Sequence, residues 1–452
     1  MHLQESADRA RAASRGRPLG GWRAALFGLF AAAASGCVEA TVAWTNLSPD
    51  GPPADPALEF ASAAQWEAEG APAARAVLQS SVYGAMPEPS AARVIERRLL
   101  SENAFGGKAR LEEFRIGAAA VHNGVAVETR SRDGAEGFIM DVALPKDGAG
   151  PVPVILMETF CPRWSTLPDP ALAPPADYQG PGSGGVLGKI ERYVFGRYIC
   201  TPPVEAILDA GYAIATIFPG EFIPDRREEG RAELKRLAAG HPHEATRWGA
   251  IAAWAWAYSR MVDVLEGDPR FDRDAMIAWG HSRYAKSALV AAAFDSRIDG
   301  VIAHQSGTGG ASLNQHKKGE SVAAITSSYP HWFARAYRED ALEGFDQHQL
   351  LALIAPRPVL LGNARRDVWS DPNGAFRAAM GADPIYELYG ARGLDQPALR
   401  PYQPEAELAF WIRPGTHGIV KEDWPAFLDF LRAHFPRKES DAGGGIVSSG
   451  RR

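Results

Sequence analysis

Short apolar runs recur along most of the chain, with stretches of helical spacing between them. Phe138–Leu144, Val152–Met157, Tyr212–Phe218, Met276–Trp279, Val301–Ala303, Pro358–Leu361 and Leu408–Ile412 each read as a strand. A helix is expected over residues 245–265, with Trp254, Val262 and Leu265 on its core face, and another over 422–434. Pro425 is tolerable in the second only because it falls in the first turn, where its missing N–H has no partner to lose. Strands alternating with helices predict an α/β fold, with a mostly parallel central sheet covered by helices on both faces.

The two ends of the chain break this pattern. Five arginines between Arg9 and Arg23 precede an apolar run, 24–34, that is too short to span a bilayer but suits the h-region of a signal peptide. Ala34-Ser35-Gly36-Cys37 follows and resembles the lipobox of bacterial lipoproteins, although leucine is usual where Ala34 stands. Residues 1–36 are therefore expected to be an export signal. Cys37 is either the lipidated anchor of a periplasmic or outer-membrane protein, or incidental to ordinary cleavage of a secreted one. Residues 37–57, rich in Pro, Asp, Ser and Gly, read as a tether, 58–437 as one folded domain, and 438–452 as a disordered tail.

Composition narrows the function classes. With 46% hydrophobic and 23% charged residues in 452, the chain can bury a large core. A net charge of −6 gives no basic footprint for nucleic acid. Setting Cys37 aside, Cys161 and Cys200 remain, either as a disulfide in an oxidising compartment or as two buried thiols. No Cys or His spacing suits a metal, so no metal or other cofactor is expected. The protein is expected to be a monomer.

The chemistry concentrates at Met276–Leu289. An apolar strand ends at Gly280, Ser282 follows two residues later, and an alanine-rich helix begins at once, which is the context of a nucleophile elbow. The match is partial, because Ala285 lies one position past the usual second glycine. Asp367 falls in the loop beyond the 358–361 strand, and His417 in the loop beyond the 408–412 strand. Serine, acid and histidine thus arrive in the chain order of an α/β-hydrolase, each at a strand end. In this reading His417 is the base, Asp367 orients it, and Ser282 is the nucleophile. The Arg283 N–H and a second donor around Thr159–Cys161 would meet the oxyanion. A capping role for His417 or a salt bridge for Asp367 would be the plainer alternatives.

These residues carry a family resemblance. Gly280-His281-Ser282-Arg283-Tyr284-Ala285-Lys286 is similar to the Gly-Cys/His-Ser-Arg-x-Gly-Lys motif of glucuronoyl esterases, which cut the 4-O-methylglucuronoyl esters that join xylan to lignin. Ser306–Gly310, Gly319–Val322, Tyr329–Phe333, Asp346–Pro358, Asp367–Pro372 and Val82–Pro87 also resemble segments of bacterial members, so the likeness runs from about Trp66 to Phe435. It implies that Lys286 and Glu320 bind sugar hydroxyls, that Trp369 lies beside the uronate, and that the Arg283 side chain assists the oxyanion. It also implies a carbohydrate substrate bearing uronic-acid esters. Many members carry their acid immediately before Ser-Gly, where this chain has Gln305; it resembles instead those bacterial members with an aspartate after the later strand. Two other readings remain: another carbohydrate or small-molecule esterase, such as a deacetylase, and a non-catalytic polysaccharide-binding relative.

Overall fold

The computed structural model describes residues 51–147, 150–172, 192–338 and 344–438. The expected leader, Cys37 and the tail after Lys438 lie outside them. Within the stretch read as a tether, Ala54 is buried against the body, as is Leu58 just beyond it, and the Pro56 carbonyl accepts a hydrogen bond from His348 Nε2 at 2.8 Å. Packing against the body therefore begins a few residues before position 58.

Among the described residues eleven strands are formed: β1 (Arg93–Asn103), β2 (Ala109–Gly117), β3 (Ala119–His122), β4 (Val125–Glu128), β5 (Phe138–Pro145), β6 (Val152–Glu158), β7 (Ala213–Ile217), β8 (Phe271–His281), β9 (Gly300–His304), β10 (Val359–Ala364) and β11 (Leu408–Arg413). Nine of them make one sheet in the order β1-β2-β5-β7-β6-β8-β9-β10-β11. From β7 to β11 every neighbouring pair is parallel, whereas β1, β2, β5 and β7 pair antiparallel. The longer helices are α1 (Arg227–Leu237), α2 (Ala250–Leu265), α3 (Arg283–Phe294), α4 (Pro372–Leu388) and α5 (Asp423–His434).

Alternation along the strands divides the interior in two. Val154, Leu156, Met276, Ala278, Val301 and Leu361 face a core shared with α2, α3 and α4. Their neighbours Ile155, Met157, Ile277, Ile302 and Leu360 face a second core shared with α5. Both faces of the parallel strands are thus closed to water, each large side chain contributing about 1.5–3 kcal/mol of burial. From β6 the chain passes first to β7 on one side and then to β8 on the other. Strand order reverses there, and open α/β sheets bind their ligands beyond the carboxyl ends of the strands at such a point.

All seven strands expected from sequence are present, within the expected sheet. The helix expected over 245–265 begins only at Ala250, after a short 3-10 turn at Glu244–Thr246. Gly249 separates the two: a Cβ there would lie 2.2 Å from the Trp332 carbonyl oxygen, so the backbones touch where the helix would have run. The C-terminal helix begins one residue later than expected, at Asp423, with Pro425 in its first turn.

Candidate active site

Ser282 sits between β8 and α3 with φ 56° and ψ −121°, a sparsely populated conformation that costs on the order of 1–3 kcal/mol. Three features hold it there. The Ser282 N–H donates to the His304 carbonyl at 2.8 Å, tying the turn to β9. Gly280 admits the returning helix, since any Cβ would stand 2.0 Å from the Tyr284 carbonyl oxygen. Ala285 is fully buried, so the small residue the family expects nearby is supplied by alanine.

Asp367 and His417 meet because their strands are neighbours. β10 and β11 run parallel in register through Ala364 and Arg413, so the loops that follow emerge side by side. His417 Nδ1–H donates to Asp367 Oδ2 at 2.7 Å, which leaves Nε2 as the basic nitrogen. Ser370 supports the acid with its N–H, 3.2 Å from Oδ1, and its hydroxyl lies 3.3 Å from His417 Nδ1. Burial would raise the Asp367 carboxyl, but its interaction with His417 and the hydrogen bonds from His417 and Ser370 hold it below the ordinary aspartate range. Ser282 and His417 line one cavity of about 220 Å³, with Phe160, Phe195, Ile199, His281 and Arg283.

Two walls of that cavity are cross-linked. Cys161 and Cys200 form a disulfide with Cα atoms 5.2 Å apart, which settles the alternative left open by the sequence. Phe160 precedes one cysteine and Ile199 the other, so the bond joins the loop after β6 to the segment leading from Phe195. That segment also pairs with the histidine loop, as the Ile419 N–H donates to the Phe195 carbonyl at 2.8 Å.

The Arg283 side chain also lines the cavity and is clamped from behind. Its Nε lies 2.9 Å from Asp225 Oδ2, and its guanidinium stacks over Phe160 at 4.7 Å. Asp225 in turn accepts from Trp332 Nε1 at 2.6 Å and His331 Nε2 at 2.8 Å. Burial opposes ionisation of Asp225, yet His331, Arg283 and Trp332 together keep its carboxyl below the usual range. Beyond Phe160 and Arg283 opens a second cavity of about 570 Å³. In the loop after β6, the Thr159 N–H is donated to the Ile217 carbonyl, which removes it from the expected oxyanion donors.

The expected sugar-binding residues come together on the other side of the elbow. Lys286, one helical turn after Ser282, is buried and donates to the Ser306 carbonyl. Burial draws its ammonium down to about 8, against the pull of Glu320. Burial raises the Glu320 carboxyl, opposed by Lys286, Lys317 and a hydrogen bond from Trp369. The Glu320 N–H donates to the Trp369 carbonyl at 3.1 Å, and the indole of Trp369 is 57% exposed, open to a ligand. Gly319 makes this approach possible: with φ 96°, its Cβ would lie 2.1 Å from the Val368 carbonyl oxygen.

Sequence reasoning missed Asp225 and Lys317, and for Phe160, which lies in the Thr159–Cys161 stretch singled out for an oxyanion N–H, it missed the stacking of the ring on Arg283. Lys317 Nζ donates to Ser312 Oγ at 2.7 Å, and burial draws its ammonium, too, down to about 8. Trp332 fell within a segment already singled out, but Asp225 carries no local signal, since its role comes from three partners far away in the chain. Among the described residues, no group of His, Cys, Asp and Glu is arranged to hold a metal ion.

Known proteins resemble this chain in sequence and in fold. A family model described as "Glucuronyl esterase, fungi" matches residues 241–390, a span that contains Ser282, Lys286, Glu320, Asp367 and Trp369. The chain is 31% identical over 387 residues to a carbohydrate esterase of an unknown prokaryotic organism, covering 82% of this chain and 86% of that one. It is 33% identical over 193 residues to a 4-O-methyl-glucuronoyl methylesterase of Phanerochaete carnosa, covering 40% and 47% respectively. Among solved structures, a carbohydrate esterase family 15 enzyme from a marine bacterial metagenome, described as promiscuous, superposes with a TM-score of 0.69 at 28% identity, covering 86% of this chain and 98% of that one. A glucuronoyl esterase of Solibacter usitatus superposes with a TM-score of 0.68 at 28% identity, covering 86% and 99%. With a relative above 30% identity along most of both chains, and the same fold throughout, this chain belongs to the glucuronoyl esterase family of α/β-hydrolase serine esterases.

Proposed function

We propose that this protein hydrolyses glucuronoyl esters of plant cell-wall xylan, releasing the alcohol, in lignin-bearing material an aryl or alkyl alcohol, and leaving the uronate free. The observation that carries the reading is the His417–Asp367 pair at 2.7 Å, on a cavity shared with Ser282 and next to the Lys286, Glu320 and Trp369 group. His417 Nε2 takes the Ser282 proton as the hydroxyl oxygen attacks the ester carbonyl. The Arg283 N–H, at the first turn of α3, and a backbone N–H of Phe160 or Cys161 receive the oxyanion, with the Arg283 guanidinium beside them. The imidazolium then returns the proton to the leaving alcohol, and water repeats the cycle on the acyl-enzyme. Asp367, kept ionised, stabilises the imidazolium at each stage.

The uronate ring is placed against Trp369, with Lys286 and Glu320 on its hydroxyls. The deciding experiment compares turnover of benzyl glucuronate with that of p-nitrophenyl acetate. Preference for the glucuronate ester supports the proposal. Equal or inverted preference points to a general or acetyl esterase, and polysaccharide retention without turnover of either to a binding relative. The N-terminal pattern supports export through residues 1–36 to the periplasm, the outer membrane or the medium, with Cys37 the anchor if lipidated. Globomycin treatment followed by fractionation tests that step.

Two expected outcomes concern the sugar side. Lys286→Ala and Glu320→Ala each raise KM for glucuronate esters by about tenfold or more through loss of charge-assisted hydrogen bonds, while KM for acetate esters stays within about twofold. Equal effects on both substrates would remove the assignment. The Lys286 ammonium is charged below about 8 and loses its proton above. KM for the glucuronate ester in the wild type therefore rises as pH passes from below 8 to above it, and this rise disappears in Lys286→Ala.

A further inference from the structure

Gln305 occupies the place where many relatives carry their acid, and the structure assigns it a different task. It follows β9 with φ 53° and is 1% exposed. Its main chain is anchored to β10, for its N–H donates to the Gly362 carbonyl at 2.7 Å. Its side chain reaches the histidine loop: Oε1 accepts the Gly418 N–H at 2.8 Å, and Nε2 donates to the Thr416 carbonyl at 3.3 Å. These are the residues on either side of His417. We propose that Gln305 is a positioning residue that sets the catalytic imidazole by gripping its flanking main chain, and that this position demands an amide. The proposal rests on the reading of His417 as the catalytic base.

The demand for an amide follows from what the loop presents. Gly418 offers an N–H and Thr416 a carbonyl, so the partner must accept at one atom and donate at the other, which an amide does and a carboxylate does not. A glutamate would turn its second oxygen toward the Thr416 lone pairs. Arg413, the cation bonded to the same two loop residues, is already engaged: its Nη1 donates to Thr416 O at 3.3 Å, its Nη2 to Gly418 O at 2.6 Å, and its Nε to Asp423 Oδ1 at 2.6 Å. On the far side the loop is closed by the Phe195 backbone, since a Cβ on Gly418 would lie 2.5 Å from its carbonyl oxygen. Arg413 holds the two carbonyls, so loss of the Gln305 grip releases the Gly418 N–H and one of the bonds to Thr416, and any shift this allows carries the imidazole with it. Misplacement of a base by about 1 Å costs turnover on the order of a hundredfold.

The grip also connects to the imidazole by a second route. Ser370 Oγ lies 3.5 Å from the Gln305 carbonyl and 3.3 Å from His417 Nδ1. The same residue therefore steadies both the main chain and, through a hydroxyl, the orienting edge of the ring.

The test measures kcat and KM on benzyl glucuronate for Gln305→Met, Gln305→Glu, Asp367→Asn, Asp367→Asn with Gln305→Glu, and His417→Ala, each with a thermal melt. Gln305→Met keeps the length of the side chain without donor or acceptor, and Gln305→Glu keeps its shape, so at least one is available as a folded variant. Both are expected to lower kcat by about tenfold or more with KM within about threefold, with kcat expressed per folded enzyme as counted by active-site titration, because an unfolded fraction would also lower apparent kcat without moving KM. The double variant is expected to be no more active than Asp367→Asn alone. If Gln305→Met stays within about twofold of wild-type kcat while His417→Ala is inactive, the grip is wrong and the triad stands. Recovery of activity in the double variant would show that position 305 faces the imidazole as an acid, which also overturns the proposal. Activity retained by His417→Ala would remove the proposal together with the assignment of the base.

Discussion

Ser282→Ala is expected to lower kcat on every ester by a factor on the order of 10⁶, as loss of a triad nucleophile does elsewhere, with an unchanged melting transition. The substitution keeps Cβ and the same backbone, so the strain at φ 56° is carried equally by serine and alanine. What holds the turn does not depend on the hydroxyl: the N–H bond to His304 is a main-chain contact, and the close approach at Gly280 involves the Tyr284 carbonyl. The Lys286, Glu320 and Trp369 group is also untouched, so the variant should still bind the glucuronate product. Measuring turnover by product release and binding by calorimetry separates the two. Activity within about tenfold of wild type would mean that another group attacks the ester.

The parallel half of the sheet could be read from sequence because its strands are buried on both faces and show as unbroken apolar runs. Of the antiparallel strands β5 could be read in the same way, but β1 and β2 could not. β1 carries Arg93, Arg97 and Arg98 among its apolar residues, and its pairing with β2 is reinforced by ions: Arg97 with Glu112 at 2.8 Å and Arg98 with Glu113 at 2.9 Å. Glu112 is buried and further held by Arg270, whose hydrogen bonds and charge outweigh the burial that would raise its carboxyl and keep it below the ordinary range. Charge pairing, which depends on partners far along the chain, does there what apolar alternation does elsewhere. The β3–β4 hairpin did leave a trace: Asn123 and Gly124, both with positive φ, form the two-residue turn that Asn-Gly favours. α4 was obscured by Pro384, which the helix tolerates on its exposed face.

The site divides in the same way. Residues within one elbow, Gly280 to Lys286, announce themselves because a sharp strand-to-helix turn imposes local constraints on size. The acid and base could be found because each follows a strand directly. Asp225 behind Arg283 and the reach of Gln305 to Thr416 and Gly418 arise only when distant loops meet, so no window of sequence contains them. The disulfide is intermediate, since the cysteines were visible and their pairing was not.

Asp367→Asn is expected to lower kcat by about 10³- to 10⁴-fold, by analogy with the corresponding change in a serine protease triad, with little change in KM. Asparagine fits the space, and the Ser370 N–H can still bond its carbonyl, so the fold should persist. The chemistry changes in two ways. An amide offers no charge to the imidazolium, and, if it turns its NH₂ toward Nδ1, it fixes the tautomer with the proton on Nε2, which cannot accept one from Ser282. In the wild type the carboxyl is held below the ordinary aspartate range, with His417 as the opposing charge, so it stays ionised wherever the enzyme works. The sign for stability follows: a carboxyl depressed on folding contributes stability that is present above its unfolded pKa and is lost as pH falls through the lower, folded one. Asp367→Asn should therefore flatten the acid side of the stability profile while the loss of turnover persists at neutral pH. Measuring kcat, KM and melting temperature from acid to neutral pH on one glucuronate ester checks each statement. A variant within a few-fold of wild-type kcat at neutral pH would mean that some other carboxylate orients His417, despite the 2.7 Å contact.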